Sequence, residues 1–372
     1  MNKPKRRTRL FLSIVLLLAW SGPVRAGDLA GLIRSWAPVI ATPGNEQALA
    51  LEVAAAMPAG LRVDKDPFGS LFVRGGDGAR GLAVLAALDG YGWFVSGITP
   101  EGYLTLDRPG QPPHPGFDAF LLGSPVVVAT RRGVLRAVVS QPAMHLLTAE
   151  RRRTLVENFS LETAFVDLGA RSAEEARAKG VEILDAVQLR PDLTELAGGR
   201  LAGPALGIKT AAAVLAAAVR EAADKMDKGT AAGWLAQSKF PVRGRGRATS
   251  LGAVRARNRL QPGAVIIVDL VAADKAAGGL ALGAGPVLAQ AAEKETPLRT
   301  AVEETARQAG ISLQRAVVTN SSLLAAFEEG VDALALALPV RYLHSPAETV
   351  DLKDVETLAS LLVRILEKGG VK

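Results

Sequence analysis

Cysteine is absent from the 372-residue chain, and histidine occurs only three times. The absence of cysteine excludes disulfide bonds, and it excludes a thiolate as nucleophile or metal ligand. Three histidines are few for a metalloenzyme. The fold must therefore be stabilised by packing. With 49% hydrophobic residues, a chain of this length can bury large cores, and the length favours two domains over one.

Long apolar runs are also missing, apart from one near the start of the sequence. Residues 10–20 form that run, five basic residues precede it, and small residues follow it as far as Ala26. The run is too short for a membrane-spanning helix, which needs about 20 apolar residues. Residues 1–26 are therefore predicted to be a signal peptide that is cleaved after Ala26. We expect a periplasmic or secreted protein with no membrane span after cleavage.

The excess of positive charge lies largely in the same leader. Its six basic residues are matched by no acidic one, so the formal net charge falls from +7 to +1 when the leader is removed. A nearly neutral mature chain gives little reason to expect a nucleic-acid partner. The basic run at 243–247 is predicted to be a mostly solvated loop, in which Arg243 is a candidate for contact with an anionic ligand.

Helical patterns and apolar strand-like patterns alternate towards both ends of the chain, which is typical of an α/β fold with a largely buried sheet. Helices are predicted at 46–59, 210–226, 297–309, 322–329 and 354–367, and strands at 81–88, 264–271, 314–318 and 333–340. Between them, short alternating runs separated by glycine and proline clusters predict an inserted, mostly β domain. The predicted organisation is an α/β domain, residues 27–96 and 203–372, around an insertion at 97–202.

Several stretches resemble landmarks of the glutamyl-aminopeptidase family, which includes the tetrahedral aminopeptidases. Residues 203–215 resemble the family's Lys-Ala-Leu-Asp-Asp-Arg stretch, and residues 237–244 resemble its Gln-Glu-Glu-Val-Gly-Leu-Arg-Gly stretch. The most specific match is at 338–362, which follows the family's Arg-Tyr-x-His-Ser-x-x-Glu segment and closing helix. The resemblance implies a zinc-aminopeptidase-like (phosphorylase/hydrolase-like) α/β/α sandwich. It also implies an inserted, mostly β domain that mediates homo-oligomers.

The resemblance further implies where a metal site would lie. In such dinuclear enzymes two metals about 3.5–4 Å apart activate a water, and a nearby glutamate moves its proton. By position, the first histidine ligand of the family falls on Ala87 and the bridging aspartate falls on Gly207. The general-base glutamate falls on Ser238, and the glutamate ligand that follows it falls on Lys239. Four roles of the family site are therefore replaced.

Three residues of the implied site are retained. Asp269 and His344 are residual ligand positions, one for each metal, and Asp89 corresponds to the family residue that orients the first histidine. One protein ligand for each metal is too few, because catalytic zinc sites typically have three. Lys239 also places a positive charge where a cation would sit, and two unit charges about 4 Å apart repel by about 4 kcal/mol. We expect no catalytic residue and no cofactor; an active enzyme would use zinc or cobalt.

The leading hypothesis is an exported, catalytically inactive member of this family that binds a peptide or partner protein in the old cleft, with Asp89, Lys239 and Arg243 as pocket candidates. One alternative is a metal-dependent aminopeptidase with a rebuilt or single-metal site around Asp269 and His344. Another is a structural subunit of a mixed peptidase assembly. The Lys239 ammonium could replace the metal charge by pairing with Asp269 or lying near His344.

The two remaining histidines fall in the predicted insertion. His114 lies in a proline-rich stretch and is predicted to be an exposed loop residue. His145 matches a position in the family's inserted domain, where a structural role is expected. Neither histidine is expected to bind a metal.

Overall fold

The protein is described by a computed structural model. It covers residues 29–369, with gaps at 77–80, 141–142, 158, 245–246, 275–278, 292–294, 319–320 and 328–329. The predicted signal peptide, residues 1–26, lies outside these described residues. Among the helices that are described, none is long and apolar enough to cross a membrane.

A twisted sheet organises the α/β part of the chain, and eight strands belong to it in the described residues. In chain order these are β1 (Val63–Lys65), β2 (Leu71–Arg74), β3 (Leu82–Ala87), β12 (Ala231–Leu235), β15 (Ala264–Ala272), β16 (Val287–Gln290), β17 (Gln314–Val317) and β18 (Asp332–Val340). Their order across the sheet is β1-β2-β12-β3-β15-β18-β16-β17. The four central strands, β12, β3, β15 and β18, run parallel to one another. Their side chains are buried on both faces, as expected of a covered parallel sheet.

Helices cover both faces of this sheet. On one face, a single large apolar core includes residues of α1 (Leu29–Trp36), α2 (Gln47–Ala56), α5 (Leu206–Ala222), α7 (Pro297–Gln308) and α9 (Leu352–Lys368). On the other face, a smaller core includes residues of α6 (Leu251–Leu260) and α8 (Ser322–Ala325). The predicted α/β/α sandwich is confirmed.

The helix α5 is buried on nearly all sides. It packs against α1, α9 and the sheet strands β3 and β15. Seven alanines allow these neighbours to approach closely, and a helix that is apolar all round belongs in a core. The helix begins at Leu206, four residues before the predicted start at 210, because its first turn is anchored by tertiary contacts rather than by a side-chain cap.

The inserted segment folds into a closed barrel. Its strands are β4 (Trp93–Ile98), β5 (Leu104–Asp107), β6 (Pro125–Thr130), β7 (Gly133–Val139), β8 (Phe165–Asp167) and β9 (Ala186–Leu189), in the closed order β4-β5-β8-β7-β6-β9. Two further helices, α3 (Ala149–Glu157) and α4 (Ala173–Ala178), lie within the same part of the chain. Barrel closure leaves these strands without free edges.

The predicted boundaries of the insertion, 97 and 202, differ from the barrel at both ends. The first boundary falls inside β4. At the other end, β10 (Thr194–Leu196) and β11 (Arg200–Gly203) form a small sheet with β19 (Glu348–Asp351) and so pack with the α/β part. The end of the insertion is set by strand pairing between residues far apart in the sequence, and the local sequence pattern holds no information about such pairing. The strands β13 (Pro241–Gly244) and β14 (Arg247–Ser250) form a separate antiparallel pair.

Most of the predicted core elements are present. Strands predicted at 264–271 and 333–340 correspond to β15 and β18, and the helix predicted at 297–309 corresponds to α7. One prediction was too long, because the helix predicted at 322–329 is the single turn Ser322–Ala325. Ser321 caps that turn by accepting a hydrogen bond from Leu324 N.

Candidate functional site

The parallel strands bring the predicted site residues to one edge of the sheet. Asp89 follows β3, Ser238 and Lys239 follow β12, and His344 follows β18. Asp269 lies near the end of β15, in register with Ala337 of β18. Ligands of open α/β sheets bind at the carboxyl ends of the strands, where the loops leave room for them. The topology therefore gathers residues that are more than 250 positions apart in the sequence.

Asp89 anchors the turn that carries Ser238 and Lys239. It is fully buried, and its two carboxylate oxygens accept hydrogen bonds from Ser238 N and Lys239 N, both at 2.8 Å. Burial raises the pKa of Asp89, while the charge of Lys239 and these hydrogen bonds act in the opposite direction. The turn after β12 is thus fixed by a carboxylate that follows β3.

A second buried carboxylate, Glu46, supports the same turn. Its Oε1 atom accepts hydrogen bonds from Gly44 N at 2.7 Å and from Gln237 N at 2.8 Å. Burial, together with the charge of Asp89, raises the pKa of Glu46 to about 7. No sequence motif points to Glu46, because this residue lies at the start of α2 and outside the segments that resemble the family.

The Lys239 ammonium group lies in the middle of the site. Its Nζ atom is 5.0 Å from the centroid of the Tyr91 ring, which is within the range of a cation–π interaction. Burial acts to lower the pKa of Lys239, but surrounding groups outweigh burial and the pKa is raised. Those groups are Tyr91, Asp269, Asp89 and Glu348. Lys239 is therefore charged at neutral pH. Within the described ranges, its Nζ atom makes no hydrogen bond and no ion pair within 4.0 Å.

His344 is a neutral imidazole held by an unusual backbone conformation. Its φ angle is 64°, and its N–H donates a 2.9 Å hydrogen bond to Oε1 of Glu348. The imidazole packs edge-on against Tyr91, with ring centroids 5.0 Å apart. Burial lowers the pKa of His344 to about 3, and the charges of Lys239 and His114 act in the same direction. Its 3.8 Å contact with Glu348 is consequently not an ion pair at neutral pH.

Glu348, the first residue of β19, is hydrogen-bonded to the start of α5. Its Oε2 atom accepts a 2.9 Å hydrogen bond from Gly207 N, and burial raises the pKa of its carboxyl. The fully buried Lys209, two residues after Gly207 in α5, donates from Nζ to the carbonyl of Ala37. Burial lowers the pKa of Lys209 to about 7. The final glutamate of the segment resembling Arg-Tyr-x-His-Ser-x-x-Glu was the available signal for Glu348.

The position that resembles the bridging aspartate is packed with other side chains. A Cβ atom added at Gly207 would lie 2.9 Å from Cδ1 of Leu270 and 3.2 Å from Oε2 of Glu348. Ala87, which stands in place of the first histidine ligand, is fully buried in an apolar core that also contains Ile208 and borders Leu270. An alanine and a leucine therefore take up space where the family resemblance implies ligands.

Asp269 is half-buried and already engaged in hydrogen bonds. Its Oδ1 atom accepts from Leu270 N at 2.9 Å, and its Oδ2 atom accepts from the Ser321 hydroxyl at 3.1 Å. The Lys239 ammonium is close enough to interact electrostatically with Asp269, but the two form no ion pair within 4.0 Å. Asp269 thus links β15 to the cap of α8.

The donors that are present do not fit a dinuclear metal site. Over the part of the chain that is described, no group of three or more His, Asp or Glu side chains is arranged to hold a metal ion. The two residual positions, Asp269 and His344, fall short of the three protein ligands of a typical catalytic zinc site. The side chain of Arg243, the third pocket candidate, lies outside the described residues.

His114 differs from its predicted exposed position. It is half-buried, its ring packs edge-on against Phe117 and Phe120, and its Nε2 atom is 3.4 Å from the carbonyl oxygen of His344. The aromatic residues of the barrel hold it beside the site, an arrangement that the local QPPHPG sequence does not show. His145 is exposed on a short 3-10 turn.

A narrow cleft, partly open to solvent, lies between the barrel and the strand ends. Its walls are mainly apolar and aromatic, and Trp93 stacks on Phe117 with centroids 5.1 Å apart. The residues that line it include Tyr91, Trp93, Phe117, Gln188, Ile208, Lys239, Leu270 and Glu348. An apolar cavity with a few convergent polar groups is typical of a small-ligand site.

The known proteins that this chain resembles include several aminopeptidases. The model of the M42 glutamyl aminopeptidase family matches residues 69–361. The lysyl aminopeptidase of Pyrococcus furiosus is 27% identical over 322 residues, covering 83% of this chain and 87% of that protein. The Pyrococcus horikoshii TET1 peptidase, which can assemble into a tetrahedron or a large octahedral shell, is similar in structure, with a TM-score of 0.80. That similarity is at 24% identity and covers 91% of this chain and 99% of the other.

A second solved structure shows the same fold. It is a TET aminopeptidase from a marine sediment Thaumarchaeota archaeon, with a TM-score of 0.79 at 23% identity. The similarity covers 92% of this chain and 97% of that one. The match therefore includes the barrel as well as the α/β sandwich.

Proposed function

The chain belongs to the M42 glutamyl aminopeptidase family, and on that premise we propose that it is an exported, non-catalytic member that binds a peptide in its cleft. The observation that carries this proposal is the packing at Gly207. Leu270 and Glu348 crowd the place from which a bridging carboxylate would project, and Lys239 adds a positive charge nearby. The side chains around the former metal positions support binding without metal chemistry.

The proposed loss of peptidase activity follows from the roles of the groups that Ser238 and Lys239 replace. A metal-activated water needs both a cation that lowers its pKa and a base that accepts its proton. Ser238, in the base position, is buried, and its hydroxyl is a poor acceptor compared with a carboxylate. Lys239 is protonated and has no proton-accepting lone pair. No step of peptide hydrolysis can be derived from these two side chains.

The retained groups explain why the cleft persists without the chemistry. Asp89 and Glu46 fix the turn after β12, and Glu348 fixes both the turn at His344 and the start of α5. These carboxylates bond to backbone N–H groups that would otherwise be buried without partners. The Lys239 ammonium contributes positive charge among them, in the place that metal charge has in the family resemblance.

A metal-dependent aminopeptidase with a rebuilt site is the competing function. A zinc or cobalt ion would have only Asp269 and His344 as protein ligands from the family set. Asp269 already accepts two hydrogen bonds, and one of its acceptor oxygens is bonded to Ser321. The donor set therefore does not fit a catalytic ion.

The test is metal content together with peptide hydrolysis on the mature chain, residues 27–372. After loading with zinc, cobalt or manganese and dialysis, we expect less than about a tenth of an equivalent of bound metal by elemental analysis. We also expect no chelator-sensitive turnover of a mixed panel of aminoacyl substrates. The Pyrococcus furiosus lysyl aminopeptidase, prepared in the same way, serves as the positive control. Near-stoichiometric metal with turnover would reject the proposal in favour of the enzyme.

Self-association through the barrel is part of the same proposal. The relative from Pyrococcus horikoshii assembles into a tetrahedron or octahedral shell, and this chain has the corresponding barrel. Val134, Val138 and Leu184 are large apolar residues that stay exposed on the barrel segment of a single chain. Exposed apolar surface of this kind favours contact with another subunit. Purification without a paralogous partner would distinguish a homo-oligomer from a subunit of a mixed assembly.

A further inference from the structure

We propose that the cleft recognises a carboxylate group next to an apolar side chain, as at a peptide C-terminus, and rejects the free amine by which aminopeptidase substrates are defined. The observation behind this is that two side chains lining the cleft carry donors: the Lys239 ammonium, which lies over the Tyr91 ring, and Gln188 Nε2, which has no hydrogen-bond partner among the described residues. The inference rests on the proposed function, because it takes the cleft to be a binding site without metal.

Lys239 supplies the positive charge. The carboxylates near it are already used by the chain, because Asp89, Asp269 and Glu348 each accept two hydrogen bonds from other groups. An ammonium group has three donors, and its only described close contact is the Tyr91 ring. A ligand carboxylate can therefore accept from Lys239 without displacing a protein hydrogen bond.

Gln188 supplies the second donor. It is only 2% exposed, lines the cleft, and uses its Oε1 atom to accept from Ala41 N at 3.4 Å. Its Nε2 atom is buried and has no hydrogen-bond partner in the described part of the chain. Buried polar groups in native structures nearly always have a partner, so the unsatisfied Nε2 donor of this cleft-lining side chain indicates a missing acceptor. A carboxylate has two acceptor oxygens, and we assign one to each donor.

The remaining walls select what is attached to the carboxylate. Tyr91, Trp93, Phe117, Ile208 and Leu270 line the same cleft. Aromatic and branched aliphatic surfaces bind an apolar side chain by excluding water. A ligand amine placed next to the Lys239 ammonium would instead meet a like charge, which disfavours binding at that point. The chemical class is therefore an apolar carboxylate.

The experiment is isothermal titration calorimetry on the mature, metal-free protein with three matched probes. These are N-acetyl-L-leucine, which is an anion, N-acetyl-L-leucinamide, which is neutral, and L-leucinamide, which is a cation. We expect the anion to bind at least about tenfold more tightly than either other probe, because a hydrogen bond to a charged group is worth about that factor. A tripeptide ending in leucine, with a free or an amidated C-terminus, distinguishes a peptide end from a free acid.

Variants identify the donors. Lys239→Met and Gln188→Met should each weaken binding of N-acetyl-L-leucine by about tenfold or more, while Lys239→Arg should retain most of it. The control is Lys225→Met, because that side chain is 77% exposed and remote from the cleft residues. Equal binding of L-leucinamide, unchanged binding in Lys239→Met, or no binding of any carboxylate probe would overturn the inference. The proposed function fails separately, by metal-dependent turnover.

Discussion

Asp89→Ala is the substitution that tests most directly what holds the cleft together. The Asp89 carboxylate is fully buried and accepts two 2.8 Å hydrogen bonds from backbone N–H groups, those of Ser238 and Lys239. A hydrogen bond to a charged acceptor contributes about 1.5–3 kcal/mol, so two contribute about 3–6 kcal/mol. The cost of burying the carboxylate, which also raises its pKa, offsets part of this. We expect the free energy of unfolding to fall by about 3 kcal/mol, measured by urea denaturation.

A matched control exists elsewhere in the sandwich. Asp66 is 8% exposed, and its carboxylate also accepts two backbone hydrogen bonds, from Phe68 N and Ser70 N at 2.9 Å. Asp66→Ala should therefore lose a similar stability but keep the affinity for N-acetyl-L-leucine. Asp89→Ala should lose both, because the turn that carries Lys239 is released. A stability loss below about 1 kcal/mol, or unchanged probe affinity in Asp89→Ala, would refute the reasoning.

Two further predictions concern α5. Gly207→Asp should lower the free energy of unfolding by about 2 kcal/mol in urea denaturation, because the new aspartate side chain would clash with Leu270 and lie against the Glu348 carboxylate. Adding Leu270→Ala should recover part of that loss. If the stability losses of the two substitutions simply add, the clash with Leu270 is not the cause. The pKa of Lys209 falls from 10.5 unfolded to about 7 folded, so the unfolded chain binds the extra proton between these values. The free energy of unfolding should therefore rise with pH across that window, by up to about 1.4 kcal/mol per pH unit more than in the Lys209→Met variant, which lacks this titrating group. The prediction is wrong if the stabilities of the two proteins change with pH in parallel.

Much of the fold was predictable because it rests on local periodicity. The long strands at 264–272 and 332–340 are apolar apart from Asp269 and Asp332, and α9 has an apolar stripe at helical spacing. The boundaries of the insertion were less predictable, because β10 and β11 pair with β19, about 150 residues away. The half-buried position of His114 was missed for the same reason: the aromatic residues that surround it act through space.

The candidate site, like the fold, was predictable only in part. The sequence predicts that family roles are replaced at Gly207, Ser238 and Lys239, for example, because the residue type at each motif position can be read directly. It did not indicate that Leu270 packs against Gly207. It also did not indicate the unpaired donor of Gln188, since β9 reads as an ordinary buried strand. Packing and hydrogen-bond partners are properties of the folded chain alone.

By itself, the sequence determined the alternation of helices and strands, the resemblance to a peptidase family and the residue types at the positions that resemble its ligands, since residue identity and spacing are sufficient for each. Only the tertiary structure decided how the side chains at those positions are packed and hydrogen-bonded. Parallel strands place Asp89, Lys239 and His344 at one sheet edge, where burial lowers the pKa of the histidine, while Tyr91 and the neighbouring carboxylates outweigh burial and raise the pKa of the lysine. That outcome depends on distances and burial, which arise only when strands far apart in the chain come together.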